Sequence, residues 1–350
     1  MILVAVILRR NHKGNARSKS EMKFDSVTRR HILLGIVSLS LVHLVGAAPY
    51  DTPVQNNDVW HGEWQDAKRA RKVPVKIYFP QGKGPFPVIM FSHGLGGSKE
   101  NYEYLGDWWA EHGYVSVHLQ HIGTDDSVWK GKGAGAIEAM RGAVSLKAAL
   151  DRPRDVSFAI DQLQTLNKNA AWPLHGKLDL TRIGMAGHSF GSNTTLLVSG
   201  LAWPGMSLSD TRVKCAIAMS APPPAGKNYA IYDGIKIPML HMTGTNDVSP
   251  FDPQNSKAVD RRIPYDHIDG ADGYLVTFAG GDHMLFSGRR AQERDEAGDA
   301  RNHALILQAS TPFWDAYLKG DTNALAWLRT DFAKELGTSG VFEQKSKKTG

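Results

Sequence analysis

Residues 187–191 read Gly-His-Ser-Phe-Gly, so that Ser189 stands two positions from a glycine on either side. A short apolar run at residues 182–186 precedes this pentapeptide, and residues 192–199 have the composition of the first turns of a helix. This is the context of a G-x-S-x-G nucleophile elbow, in which glycines make room for a sharp strand-to-helix turn. Such a turn lifts the hydroxyl to a helix N-terminus, where backbone amides can stabilise an oxyanion. The stretch therefore predicts Ser189 as a nucleophile.

An acid and a histidine follow two later strand patterns. Asp247 comes after the apolar run at residues 237–243, and His283 comes after residues 274–278 and a glycine turn. In a doubly wound sheet the working residues gather at the carboxyl ends of the strands, and the chain order Ser, Asp, His is typical of that arrangement. We expect His283 to accept the proton of Ser189 and return it to the leaving group. Asp247 would hold the imidazole in the correct tautomer.

Other residues compete for these roles. Asp252 lies five residues after Asp247, and Asp282 directly precedes His283. A histidine is more often structural than catalytic, and the chain has 14; His283 is favoured because a predicted strand and a glycine turn precede it. His188, inside the elbow, is expected to point into the fold and to pack beside the nucleophile or support it.

A second glycine-rich stretch, residues 93–97, reads His-Gly-Leu-Gly-Gly and follows a buried strand predicted at residues 87–91. Glycines in such a loop let backbone amides approach a developing negative charge. We expect the amides of Leu95 and Phe190 to form the oxyanion hole, with Gly94 beside the substrate. The alternative is a plain glycine turn.

The loop after the next predicted strand contains possible metal ligands. His118 and His121 are followed by Asp125 and Asp126. The chain has no H-E-x-x-H motif, the histidine pair straddles a strand end, and serine hydrolysis needs no metal, so we predict no metal. We expect instead that this loop lines the substrate pocket through four side chains: His121, Thr124, Asp125 and Trp129.

Strand and helix patterns alternate along the rest of the chain. Residues 60–79 predict an antiparallel edge hairpin, and further strands are predicted at 87–91, 114–119, 182–186, 213–219, 237–243 and 274–278. Helices are predicted at 102–112, 151–166, 192–199 and 303–318. This alternation predicts an α/β fold, with a mostly parallel central sheet covered by helices on both faces.

The connections between these elements bear on the size of the substrate. Residues 222–238, about 17 positions, separate the sixth and seventh strands and are too few for a large helical lid. The walls of the site would then come from residues 120–137 and 249–273. A shallow cleft of this kind suits short acyl chains or an exposed ester on a larger molecule.

Charge and cysteine content exclude some classes of function. The chain has 350 residues and a formal net charge of +6, but residues 1–48 contain eight Lys or Arg and two Asp or Glu, which leaves 33 of each sign in the remainder. A neutral body gives no support to a nucleic-acid partner. Cys215 is the single cysteine, so an intramolecular disulfide is excluded, and its apolar surroundings predict a buried structural thiol.

The first 48 residues have the pattern of a secretory signal. Arg29 and Arg30 precede an apolar run at residues 32–45, and small residues follow up to Ala48. We expect cleavage after Ala48 and a secreted or periplasmic protein, with the paired arginines indicating the twin-arginine route. A membrane anchor is the alternative, but the run of about 14 residues is shorter than the roughly 20 that span a bilayer. After cleavage we expect no stable membrane insertion.

These observations divide the chain into three parts. Residues 1–48 are the predicted leader, in which Met22 is an alternative start. Residues 49–337 are predicted to form one domain, and residues 338–350 a frayed polar tail.

The motifs resemble those of the α/β-hydrolase superfamily over roughly residues 60–335. More narrowly they are similar to the branch that holds platelet-activating-factor acetylhydrolase-like enzymes and bacterial predicted dienelactone hydrolases. Besides the elbow, the residues that carry the resemblance are 69–80, 91–97 and 281–283. The resemblance implies a serine carboxylic-ester hydrolase that needs no cofactor and acts on a small-molecule or polymeric ester. True dienelactone hydrolases use cysteine, so their activity does not carry over to Ser189.

Other interpretations remain open. Cutinase-like polyester hydrolases share the elbow, but they typically have methionine after the serine and a disulfide, and Phe190 and the single cysteine depart from both. A lipid-ester hydrolase or an acyltransferase would use the same acyl-enzyme. A non-catalytic binding protein on a hydrolase fold usually lacks one member of the triad, and here all three residue types are present.

Overall fold

The structure is a computed structural model and describes residues 48–251, 256–288 and 296–348. A nine-stranded sheet runs through this part of the chain. The strands, in chain order, are β1 (Asn57–Asp66), β2 (Arg71–Pro80), β3 (Phe86–Ser92), β4 (Val115–Leu119), β5 (Leu178–His188), β6 (Val213–Met219), β7 (Met239–Asn246), β8 (Gly273–Asp282) and β9 (Gly340–Lys345). The helices are α1 (Glu103–Glu111), α2 (Ala136–Ala143), α3 (Leu146–Leu166), α4 (Phe190–Ser199), α5 (Ile263–His267), α6 (Glu296–Trp314), α7 (Thr322–Thr330) and α8 (Phe332–Leu336). The predicted leader and its cleavage site fall almost wholly outside the described residues.

The strand order in the sheet is β1-β2-β4-β3-β5-β6-β7-β8-β9. β1 and β2 form the predicted antiparallel hairpin, and β2 runs antiparallel to β4. From β4 through β3, β5, β6 and β7 to β8 every pairing is parallel. The predicted α/β fold with a mostly parallel sheet is therefore confirmed.

Alternating side chains of the central strands enter two separate cores. In β3, Val88 and Met90 pack with apolar residues of α3 and α4, whereas Ile89 and Phe91 pack with residues of α1, α6, α7 and α8. Successive residues of a strand point to opposite faces of the sheet, so helices on both faces are needed to bury such a strand. The two cores hold the carboxyl ends of the parallel strands along one edge.

The C-terminal prediction was wrong for residues 340–345. These residues form β9, which pairs antiparallel with β8 from Gly273–Lys345 to Phe278–Gly340. The ring of Phe342 stacks on Tyr274, with centroids 6.1 Å apart, and meets Phe332 edge-on at 5.1 Å. A single aromatic in a polar stretch gives almost no periodic signal, so the strand is defined by its pairing partner.

The connections that flank the carboxyl edge are short. α2 was not predicted; it has no buried residue and is followed directly by α3, whose N-cap Ser145 accepts a hydrogen bond from the Ala148 amide at 3.1 Å. Between β6 and β7 the chain forms one short 3-10 turn, Tyr229–Tyr232. Within the described ranges, no helix is both long and apolar enough to cross a membrane.

Five histidines in the sheet or in the loops at its edge are at most 2% exposed: His93, His118, His121, His188 and His241. Burial disfavours the imidazolium and is the largest cause of a lowered pKa in each case. The pKa falls to about 3 for His118, His188 and His241 and to about 4 for His121, and it lies well below the usual value for His93. In the unfolded chain all five would titrate near pH 6.5.

These shifts predict a loss of stability in mild acid. Between about pH 6.5 and pH 4 the unfolded chain binds more protons than the folded chain, so the free energy of unfolding falls as the pH falls. Each buried histidine contributes up to about 1.4 kcal/mol per pH unit in this window. His241→Leu should remove one such contribution, and urea titrations at several pH values would measure the slope. The exposed His175→Gln serves as the control; a slope unchanged by His241→Leu would contradict the assignment.

Candidate active site

Ser189 occupies a strained backbone position between β5 and α4. Its φ of 56° and ψ of −116° lie outside the regions that non-glycine residues favour. The flanking glycines explain why the turn can be so tight. A Cβ at Gly191 would lie 1.9 Å from the Ser92 carbonyl oxygen, and one at Gly187 would lie 2.3 Å from the Gly191 oxygen. The elbow is thus pressed against the end of β3, where no side chain fits between the two backbones.

The structure brings Ser189, His283 and Asp247 into one hydrogen-bonded chain. The Ser189 Oγ lies 2.9 Å from His283 Nε2, and His283 Nδ1 lies 2.8 Å from Asp247 Oδ1. The three residues follow β5, β8 and β7 at the same edge of the sheet. Asp247 is fully buried and His283 nearly so, whereas Ser189 is partly exposed. This is the geometry in which a histidine can accept a proton from a serine and an aspartate can orient the histidine.

The two competing carboxylates have other places. Asp282 Oδ1 accepts a hydrogen bond from the Met284 amide at 2.8 Å and so shapes the turn that carries His283. Asp252 lies in residues 252–255, outside the described residues. Asp247 is the acid whose side chain contacts His283.

Asp247 is held by residues that the sequence did not suggest. Its Oδ2 accepts hydrogen bonds from Ser220 Oγ at 2.6 Å and from Thr243 Oγ1 at 2.9 Å. The Nε of the buried Arg261 lies 3.3 Å from Oδ1. Burial acts to raise the pKa of Asp247, but the hydrogen bond and charge of His283, then Arg261 and Ser220, outweigh it and lower that pKa. The carboxyl is therefore an anion at neutral pH.

These supporting residues carry weak sequence signals. Ser220 directly follows β6, so a search of strand ends for hydroxyls as well as acids would have found it. Arg261 lies in a short 3-10 turn with no motif, and its role depends on the tertiary fold.

His188 links His283 to the glycine-rich loop at residues 93–97. Its Nε2 donates to the His283 carbonyl at 2.8 Å, and its Nδ1 accepts from the Tyr102 hydroxyl, also at 2.8 Å. The Tyr102 oxygen in turn accepts the Gly94 amide at 3.2 Å. The structure thus places His188 inside the fold, in the supporting position expected for it.

Residues 94–97 form one wall of a cavity of about 70 Å³ that opens at Ser189. Gly94 and Leu95 belong to this wall, His283 lies across from them, and Phe251 and Met284 close the remaining sides. Phe190 is the first residue of α4, and the first amides of a helix have no intrahelical carbonyl to bind. Both amides predicted for the oxyanion hole therefore belong to segments at the nucleophile.

The predicted pocket residues of the 121–129 loop do not reach this cavity. Four of that loop's residues hold it together instead. The side chain of His121 is fully buried between Asp155 Oδ2 at 3.0 Å and Ser92 Oγ at 2.9 Å. Thr124 Oγ1 donates to the His121 carbonyl, and Trp129 Nε1 donates to the Gly96 carbonyl at 2.7 Å. The buried Asp125 accepts from Gln120 and Ser127. The prediction was wrong for His121, Thr124 and Asp125, which are buried because the loop folds inward against β3.

The histidine pair of this loop does not converge. His118 Nε2 lies 3.1 Å from Ser116 Oγ, on the strand, while His121 binds Asp155. Across the described ranges, no group of three or more His, Cys, Asp or Glu side chains is placed to hold a metal ion.

Two comparisons relate this chain to known proteins. A family model described as platelet-activating factor acetylhydrolase, isoform II, matches residues 70–130, which run from the first residues of β2 into the loop after β4. A platelet-activating factor acetylhydrolase from Cavia porcellus is 25% identical over 304 residues, covering 73% of this chain. The chain is therefore similar to platelet-activating factor acetylhydrolases in these regions. The chain spans about 63% of the length of the Cavia porcellus protein.

The contact between the elbow and β3 generates a prediction on stability. Gly191→Ala would force a Cβ into the Ser92 carbonyl and should lower the free energy of unfolding by about 3 kcal/mol or more. Gly142→Ala, in α2, meets no atom within 4 Å and should be neutral or stabilising by about 0.5–1 kcal/mol. Denaturant unfolding of both variants measures the difference; equal effects would show that the elbow tolerates a side chain.

Proposed function

We propose that this protein is an exported serine carboxylic-ester hydrolase that forms an acyl-enzyme on Ser189. The observation that carries the proposal is the unbroken hydrogen-bonded chain from Ser189 through His283 to the buried Asp247. The family similarity supports the same class of reaction. In the proposed site the amides of Leu95 and Phe190 form the oxyanion hole, and Gly94 lies beside the substrate.

The first half-reaction transfers the acyl group. Ser189 Oγ attacks the ester carbonyl carbon while His283 Nε2 accepts the hydroxyl proton. The carbonyl oxygen becomes an oxyanion that the two amides stabilise. As the tetrahedral intermediate collapses, the bond from carbon to the alcohol oxygen breaks, and His283 gives its proton to the departing alcohol.

The second half-reaction repeats these steps with water. His283 takes a proton from a water molecule, which attacks the acyl-enzyme, and the same proton then returns to Ser189 Oγ as the acid leaves. Asp247 stabilises the imidazolium that forms in each half-reaction and keeps the Nδ1 proton of His283 in place. Its contacts with Ser220, Thr243 and Arg261 support this role, because they keep the carboxylate ionised and fixed.

The size of the cavity supports esters with short acyl groups. The described walls at Leu95, Phe251 and Met284 leave a space of about 70 Å³, which fits an acetyl group better than a long acyl chain. The relative from Cavia porcellus is named an acetylhydrolase, which agrees with a small acyl group here. The alcohol part of the ester would remain outside the cavity, so an exposed acyl ester on a larger lipid or polymer is compatible with the same site.

Export is proposed on the leader pattern. Arg29, Arg30 and the apolar run at 32–45 support it, together with the small residues that end at Ala48. N-terminal sequencing of protein recovered outside the cytoplasm should begin at Pro49. Recovery of the uncleaved chain in the membrane fraction would favour an anchor instead.

Hydrolysis of p-nitrophenyl acetate, butyrate and decanoate tests the reaction. The protein should prefer the two shorter esters, and Ser189→Ala should lower kcat by about 10⁴-fold or more because the nucleophile is lost. Asp247→Asn should lower kcat by roughly 10⁴-fold, since the histidine would take the wrong tautomer. The exposed Ser209→Ala is the matched control and should keep full activity.

A fluorophosphonate probe separates the enzyme from a binding protein. It should label the parent chain and Ser209→Ala but not Ser189→Ala. If the parent chain neither reacts with the probe nor hydrolyses any of the three esters, the hydrolase proposal fails and a binding role becomes the better explanation. A preference for decanoate would contradict the short-chain part.

A further inference from the structure

The loop at residues 93–97, which contains the proposed oxyanion donor Leu95, also contains a buried histidine that the triad does not use. The His93 side chain is 1% exposed, and its Nδ1 lies 2.6 Å from the carbonyl oxygen of Gly94. Its Nε2 accepts a hydrogen bond from the His121 amide at 3.1 Å. A ring nitrogen that accepts an N–H carries no proton, so the proton of this neutral imidazole is on Nδ1. His93 therefore donates to the Gly94 carbonyl.

This hydrogen bond determines the direction of the next amide. The Gly94 carbonyl and the Leu95 N–H belong to one planar trans peptide, in which the two groups point in opposite directions. The Gly97 amide also donates to the Gly94 oxygen, at 3.1 Å. With its oxygen held by two donors on one side, the peptide directs the Leu95 N–H to the other side.

We propose that His93 is a positioning residue of the oxyanion hole, which aims the Leu95 amide at the substrate oxygen by holding the Gly94 carbonyl. This inference rests on the proposed function. It goes further by assigning a role to a side chain outside the triad. Without the Nδ1 donor, the Gly94 oxygen keeps only the Gly97 amide as a partner, and the direction of the Leu95 amide is less firmly fixed.

The surroundings keep the His93 ring in this orientation. Arg152, fully buried on α3, donates through Nη2 to the His93 carbonyl, and its guanidinium lies 4.5 Å from the centre of the Phe190 ring. One arginine thus contacts the segments of both proposed oxyanion donors. His121, whose amide binds His93 Nε2, is itself fixed by Asp155.

A role in proton transfer is not part of this proposal. Both ring nitrogens of His93 are bound to backbone groups, and burial together with the charge of Arg152 keeps its pKa well below the usual range. His93 is therefore neutral near pH 7. Its replacement should change the rate without moving the pH profile.

Two substitutions, one that keeps a donor and one that removes it, separate the hydrogen bond from packing. In His93→Asn the side-chain amide can stand where Nδ1 stood and donate to Gly94, whereas His93→Leu cannot donate. With p-nitrophenyl acetate, His93→Leu should lower kcat by about 10²–10³, the effect of losing one oxyanion donor, with KM changed by less than about threefold. His93→Asn should stay within about tenfold of the parent. The pH dependence of kcat should be the same in all three proteins.

His241→Leu is the matched control for loss of a buried histidine. It lies on β7, and neither ring nitrogen has a hydrogen-bond partner among the described residues, so kcat should not change. If His93→Leu does not fold, His93→Gln replaces it, because a glutamine amide reaches toward His121 rather than Gly94.

Crystal structures of the two variants give a readout that does not depend on activity. The Gly94 carbonyl should keep its direction in His93→Asn and turn or become disordered in His93→Leu. An unchanged carbonyl in His93→Leu would overturn the proposal, and so would a kcat within threefold of the parent. Equal losses in His93→Asn and His93→Leu would reduce His93 to a packing role. A parent chain that is inactive and does not react with the fluorophosphonate probe would instead refute the hydrolase function. The direction of the Gly94 carbonyl in the variants would still show whether His93 holds it.

Discussion

The site depends on a backbone contact between two neighbouring strands. Ser92, the last residue of β3, pairs with Gly187 at the end of β5, and the elbow folds back so closely that Gly191 lies against the Ser92 carbonyl. Ser189 and the loop at residues 93–97 therefore emerge side by side from the centre of the sheet. Their spacing is set by main-chain atoms, which a packed sheet holds far more rigidly than it holds side chains.

Around this contact the protein buries a set of hydrogen-bonded polar side chains. Asp247 is surrounded by donors, and His93 and Arg152 hold the backbone carbonyls of the loop at residues 93–97. Tyr102 and His188 connect the two regions through hydrogen bonds. At low dielectric such bonds are strong when complete, so a network of this kind favours one geometry over many. This arrangement has a cost in stability. The buried histidines stay neutral in the folded chain but would be protonated in the unfolded chain in mild acid, which lowers the free energy of unfolding there.

The sequence predicted the site in parts. Ser189, Asp247 and His283 were found because each follows a strand pattern at the edge where parallel strands end. The sequence could not choose between Asp247 and Asp282 on firm grounds; in the structure Asp282 binds the Met284 amide, and Asp247 contacts the histidine. The 121–129 loop was placed at the correct edge, but its side chains were assigned the wrong direction. Loop position follows from strand order, whereas side-chain direction follows from what the loop packs against.

By itself the sequence determined the α/β class, the order of most strands and helices, and the elbow, because these follow from hydrophobic period, glycine spacing and chain order, all of which are local. The tertiary structure decided which acid meets the histidine, that Ser220, Thr243 and Arg261 support it, and that residues 340–345 join the sheet as β9. These outcomes arise from contacts between residues far apart in the chain. Such contacts depend on how the strands pair and how the loops pack, and local sequence patterns do not predict either.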